Sequence, residues 1–131
     1  MNKSLSDNTF NFSEPFDSQY IFELYAGDYI MIGETFSDVL NEYDEFVETI
    51  NSSFQAENVP ALKSAVHKIK PLFGFVGLLS LQAQCQDFEN ACQQADLPGL
   101  RPSFNLLKDK LIQARSLIRT EQARLEQFNN A

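Results

Sequence analysis

The sequence predicts an all-α protein, an antiparallel four-helix bundle with a short additional N-terminal helix. Three observations predict it. Apolar residues recur at alternating steps of three and four through most of the 131-residue chain. No segment shows the period-two alternation of strands bounded by turn signals. The breaks between periodic segments are short, as in bundles whose neighbouring helices run antiparallel.

Residues 1–17 are rich in Asn, Ser and Asp, interrupted by Phe10, Phe12 and Phe16, with Pro15 near the end. They are expected to form a flexible arm whose phenylalanines dock on the body, a bundle over residues 18–128. Ser18 is expected to cap a short helix through Ala26, closed by Gly27 as a left-handed residue. Asp28 then caps the second helix, where Tyr29, Ile32, Phe36, Val39, Tyr43, Phe46 and Ile50 form one apolar stripe. Glu34, Asp38, Glu42, Glu45 and Glu48 fall on its other faces, and its end is expected near Phe54.

Asn58 is a cap for a third helix starting near Pro60, since proline is tolerated in a first turn. Its stripe is Leu62, Val66, Ile69, Phe73 and Val76, and Gly74 and Gly77 loosen its end. The fourth helix carries Leu81, Cys85, Phe88 and Cys92 and is expected to stop before Leu97-Pro98-Gly99. The last is expected from about Pro102 to Phe128, with Phe104, Leu107, Leu111, Ala114, Ile118 and Leu125 on one face.

Composition narrows the function classes. A hydrophobic content of 44% and a mean hydropathy of −0.26 allow a real core. No apolar run approaches the roughly 20 residues that span a bilayer. Met1 to Asp7 lacks the basic-then-apolar layout of a secretory signal, so a cytoplasmic protein is expected. With two cysteines and one histidine, a Cys/His zinc site would consume nearly all of them. Cys85 and Cys92 lie on the core stripe, roughly 10 Å apart along the axis, and are expected to pack as small hydrophobes.

The net charge of −8 is unevenly placed. Met1 to Glu57 holds twelve acids and one base, whereas Asn58 to Gln86 holds three lysines and no acid. Such an acidic chain is a poor partner for nucleic acid or an anionic membrane. Its acid-free window also contains the only histidine, His67.

His67 stands one position beyond Val66, about 100° from the centre of the apolar stripe, so it belongs to an exposed flank. Lys63, Lys70 and Gly74 share that flank, and Lys68 is adjacent in sequence. A neutral imidazole is a competent nucleophile toward phosphorus, and ammonium groups near an imidazole disfavour its cationic form. The same lysines would compensate the charge of a phosphoryl group on the ring. Small residues one or two turns further on would let a partner surface approach closely. A bland alternative is an interaction-only bundle with an inert surface histidine. Other chemistries lack their parts: there is no Glu-x-x-His pair, no G-x-S-x-G elbow, and no glycine-rich phosphate loop.

His67-Lys68-Ile69-Lys70, with Gly77-Leu78 ten residues after the histidine, resembles the H-x-[LI]-K-G…G signature of histidine-containing phosphotransfer (HPt) domains. Cys85-Gln86-Asp87-Phe88-Glu89 resembles the family's C-x-x-[LF]-E stretch, and Gly27-Asp28 fits the start of its long acidic helix. The resemblance covers roughly residues 18–126. It departs at Pro71, where the family usually has glycine.

The resemblance implies that His67 accepts a phosphoryl group from a receiver-domain aspartate and returns it to another. Lys70 and Lys68 would stabilise the phosphate, and Lys63, Pro71, Gly74 and Gly77 would form the receiver docking face. Gln86 and Glu89 flank the core stripe of the fourth helix on the side of His67, as candidates to orient the ring. Mg2+ would belong to the receiver, leaving this chain a carrier without a cofactor of its own and not an enzyme. The implied partners are response-regulator receivers and a hybrid sensor histidine kinase, with a monomer as the default state.

Overall fold

The computed structural model describes residues 9–131, in five helices: α1 (Ser18–Leu24), α2 (Tyr29–Gln55), α3 (Val59–Phe75), α4 (Leu79–Cys92) and α5 (Leu97–Asn130). No strand occurs among the described residues. The all-α bundle expected from the periodicity is the fold observed. α2 packs on α3 and α5, and α4 packs on the same two helices, so the four long helices close around one core. Connections of three or four residues between consecutive long helices make neighbours antiparallel.

The apolar stripes meet inside. Ile32, Phe36, Val39, Tyr43 and Ile50 of α2 are buried with Leu62, Val66, Ile69 and Phe73 of α3 and Leu107, Leu111, Ala114 and Ile118 of α5. At the centre the Tyr43 hydroxyl donates to the Leu111 carbonyl at 2.6 Å, and burial pushes its pKa well above the ordinary phenol value. Both cysteines are free and buried. Burial first, and then the charge of Glu89, pushes the Cys85 thiol up to about 12, so this side chain stays neutral.

Asp28 and Asn58 cap α2 and α3 through their side-chain oxygens. Other boundaries differ from expectation. Asp17, rather than Ser18, caps α1, accepting from the Tyr20 amide at 2.9 Å, while the Ser18 hydroxyl accepts from the Phe12 amide. α5 begins at Leu97, well before Pro102. Pro98 and Gly99, expected to break the chain, sit in its first turn, where backbone amides have no helical acceptor. Asp96 caps that turn, accepting from the Gly99 amide at 3.1 Å.

The expected arm divides differently. Residues 1–8 of it lie outside the described residues. Residues 9–17 lie along the bundle with Phe10, Phe12 and Phe16 buried, so the packed body begins before residue 18. Phe12 stacks on Phe36 at 5.4 Å, and Phe10 meets Phe128 edge-on at 5.4 Å. Burying each phenylalanine contributes about 1.5–3 kcal/mol. The buried Glu121 carboxylate fixes this strap, accepting from the Ser13 amide at 2.8 Å and from Arg124 at 2.6 Å.

Candidate functional site

The site is built on α3 and α4. Val66, Ile69 and Phe73 bury the core stripe of α3, which turns His67 outward with 66% of its side chain exposed. Pro71 has no amide hydrogen, so the His67 carbonyl lacks its usual helical donor. The helix nevertheless continues through Pro71 to Phe75, and the proline is exposed to solvent.

Across the helix pair, Glu89 of α4 reaches the ring from below. Its Oε1 is 2.8 Å from His67 Nδ1, and its side chain is only 6% exposed. A carboxylate only accepts hydrogen bonds, so this contact assigns the proton to Nδ1. Nε2 then carries the lone pair on the exposed side of the ring. The second oxygen, Oε2, is 2.8 Å from Lys70 Nζ, an ion-pair contact rather than an aligned hydrogen bond. Lys70 also donates to Gln86 Oε1 at 2.6 Å, and Gln86 donates to Asn90 Oδ1 at 2.9 Å. Lys70 Nζ lies 3.4 Å from Nδ1, where a protonated nitrogen offers no lone pair, so it acts there as a neighbouring charge.

Four residues therefore converge: His67, Lys70, Gln86 and Glu89. Glu89 holds the ring, whereas Gln86, the other ring-orienting candidate, holds Lys70 instead. Lys63 is half-buried one turn earlier, close enough to Cys92 to influence that thiol. Lys68 does not join the site. It lines the groove between α2 and α3 with Glu42 and Glu45, since its position is rotated about 100° from His67.

The expected docking glycines are also elsewhere. Gly74 is buried, and an added Cβ there would meet Gln82 Nε2 at 2.6 Å. Gly77 has φ +75° and lies under Ile21 of α1, where a Cβ would come within 2.5 Å of that side chain. Its carbonyl accepts from the Asp17 amide at 3.0 Å. The Gly77 conformation and the closeness of α1 both demand glycine for packing. The open surface beyond His67 is instead Pro71 and then Phe75, which is 48% exposed. The signal for Phe75 was its place off the three-and-four stripe of α3.

The family model described as "Hpt domain" matches residues 34–117. The chain belongs to the Hpt domain family. All four converging residues of this Hpt domain fall within the matched segment, whereas the strap, α1 and the last turns of α5 fall outside it. Among solved structures, the Hpt chain is similar to the HPT domain of a sensor hybrid histidine kinase from Shewanella. The TM-score is 0.73 at 20% identity, covering 83% of this chain and 94% of that one, a likeness of fold. No curated protein matches the chain. No helix among the described residues is long and apolar enough to cross a membrane.

Proposed function

We propose that this Hpt chain carries a phosphoryl group on His67 between receiver-domain aspartates in a multi-step His–Asp relay. The observation that supports this most is the Nδ1–Glu89 contact of 2.8 Å beneath a ring that is otherwise exposed. It presents Nε2 as a nucleophile with its lone pair free. In the transfer, Nε2 attacks phosphorus, the N–P bond forms, and the bond from phosphorus to the aspartyl oxygen breaks. The carboxylate leaves with the electron pair. The ring keeps its Nδ1 proton and becomes cationic, and the Glu89 carboxylate stabilises that charge at hydrogen-bond distance. Returning the group to another aspartate reverses each step.

Lys70 supports the phosphoryl oxygens. An ammonium has three N–H donors. Gln86 accepts from one, and the Glu89 carboxylate holds the ammonium by charge without an aligned hydrogen bond, which leaves N–H donors for the transferred group. Magnesium and the remaining machinery belong to the receiver, so this chain is a carrier rather than an enzyme. Receivers of response regulators and of a hybrid sensor kinase are its partners, in the cytoplasm, and they dock over Pro71 and Phe75 beside His67.

The test is a shuttle between two receivers. A phosphorylated receiver is mixed with this chain and a second, unphosphorylated receiver. Label reaching the second receiver only when the chain is present, and not with His67→Gln, is the expected result. An inert interaction bundle would bind a receiver without passing label.

A further inference from the structure

Gln86 and Asn90 stand one helical turn apart on the exposed edge of α4, beside the buried Glu89. Asn90 makes no hydrogen bond to the His67 ring or to Lys70. The bond it makes is to Gln86, whose amino group donates to Asn90 Oδ1 at 2.9 Å.

A carboxamide has two ends of opposite polarity, and only one of them suits an ammonium. Lys70 donates and never accepts, so the Gln86 oxygen faces it at 2.6 Å and the Gln86 amino group faces away. That amino group needs an acceptor, which Asn90 supplies at the i,i+4 spacing of a helix face. A flipped Gln86 would set its nitrogen against the ammonium and its oxygen against Asn90 Oδ1. The two bonds also strengthen one another, since an amide whose oxygen accepts from a cation donates more strongly.

Lys70 needs such a brace because its other partner gives it no direction. Glu89 Oε2 lies 2.8 Å from Nζ without an aligned hydrogen bond, so it attracts the ammonium without orienting its N–H groups. Gln86 supplies the aligned bond. A lysine side chain has many rotamers, and ordering it beforehand spares that cost when a phosphoryl group arrives.

We propose that Asn90 is a positioning residue of the phosphotransfer site, holding the Gln86 carbonyl toward Lys70 so that the ammonium is in place before the phosphoryl group. This role rests on the reading of His67 as the carrier, and it acts only through Gln86 and Lys70.

A residue that acts through Lys70 cannot cost more than Lys70 itself. Asn90→Leu should slow phosphate uptake from a receiver about two- to threefold at low salt, less than the loss in Lys70→Ala. Added to Lys70→Ala, it should cost nothing further. Asn90→Asp keeps the acceptor and should recover most of the rate, whereas Asn90→Lys only donates and should be as slow as Asn90→Leu. General charge predicts the reverse order, because an added lysine attracts an anionic donor and an added aspartate repels it. Circular dichroism melting confirms that each variant is folded. A wild-type rate in Asn90→Leu, a loss that persists beside Lys70→Ala, or a faster Asn90→Lys overturns the proposal. Side-chain 15N NMR needs no phosphate and separates the brace from the carrier reading. Asn90→Leu should shift the Gln86 carboxamide signal and speed hydrogen exchange at the Lys70 ammonium, and Asn90→Asp should do neither. Unchanged signals in Asn90→Leu overturn the brace, whereas a wild-type chain that takes up no phosphate but shows these changes overturns the carrier reading alone.

Discussion

Replacing Glu89 by Gln keeps the side-chain volume and removes one buried negative charge. In the structure that charge lies 2.8 Å from His67 Nδ1 and 2.8 Å from Lys70 Nζ. A hydrogen bond to a charged partner contributes about 1.5–3 kcal/mol, against about 0.5–1.5 kcal/mol for a neutral pair, a difference of about 1–2 kcal/mol. The ring becomes cationic only as the N–P bond forms, so this loss falls on the transition state and the phosphorylated product. Uptake of phosphate by Glu89→Gln should therefore slow about 5- to 30-fold. Return of the group to a receiver should slow less, since the phosphorylated form is itself raised in energy. Single-turnover quench assays in both directions measure the rates, and 15N NMR of the imidazole reads the tautomer. Wild-type uptake together with an unchanged share of Nδ1–H in Glu89→Gln refutes the role given to Glu89.

Lys70→Ala should slow transfer about fivefold at low salt and less at high salt, because the ammonium meets a phosphoryl group carried on an exposed ring and screened by solvent ions. A wild-type rate at low ionic strength removes Lys70 from the site. Gly77→Ala should destabilise the fold by about 2–4 kcal/mol, from left-handed backbone strain and the clash with Ile21, while the folded fraction transfers normally. A stable Gly77→Ala chain that no longer binds a receiver would return Gly77 to the docking face. Stability should also fall at alkaline pH: an unfolded Cys85 thiol releases its proton near 9.0, while the folded one holds it to about 12. Between those values the unfolded state binds fewer protons, so stability is lost as pH rises. Cys85→Ala should show a shallower decline in denaturant titrations from pH 8 upward, and an equal slope contradicts the assignment.

Much of the fold was legible because a helix records its buried face in its own periodicity. The stripes from Ile32 to Ile50, Leu62 to Phe73 and Phe104 to Leu125 proved to be core, except that Phe46 is half-buried against it. His67 was placed outside that core by the same argument. Periodicity does not reveal what lies opposite a face. Lys68 and Lys70 are both off the stripe of α3, yet only the structure shows that one turns to the α2 acids and the other to Glu89. Gly74 and Gly77 look like an open surface until Gln82 and Ile21 are seen to cover them. The early start of α5 was hidden for a local reason, since Pro98 and Gly99 carry breaker signals that a first turn tolerates. The strap was legible only as three phenylalanines in a polar stretch, because its anchor, Glu121, is more than a hundred residues away in sequence.

The most direct test of the central claim is to phosphorylate the chain from a receiver and identify the modified atom. Phosphate on a histidine is acid-labile and base-stable, and 31P and 15N NMR distinguish the two ring nitrogens. The account predicts a single phosphohistidine at Nε2 of His67, with the proton retained on Nδ1 and directed at Glu89. Phosphate on Nδ1, on any other residue, or still taken up by His67→Gln would contradict it.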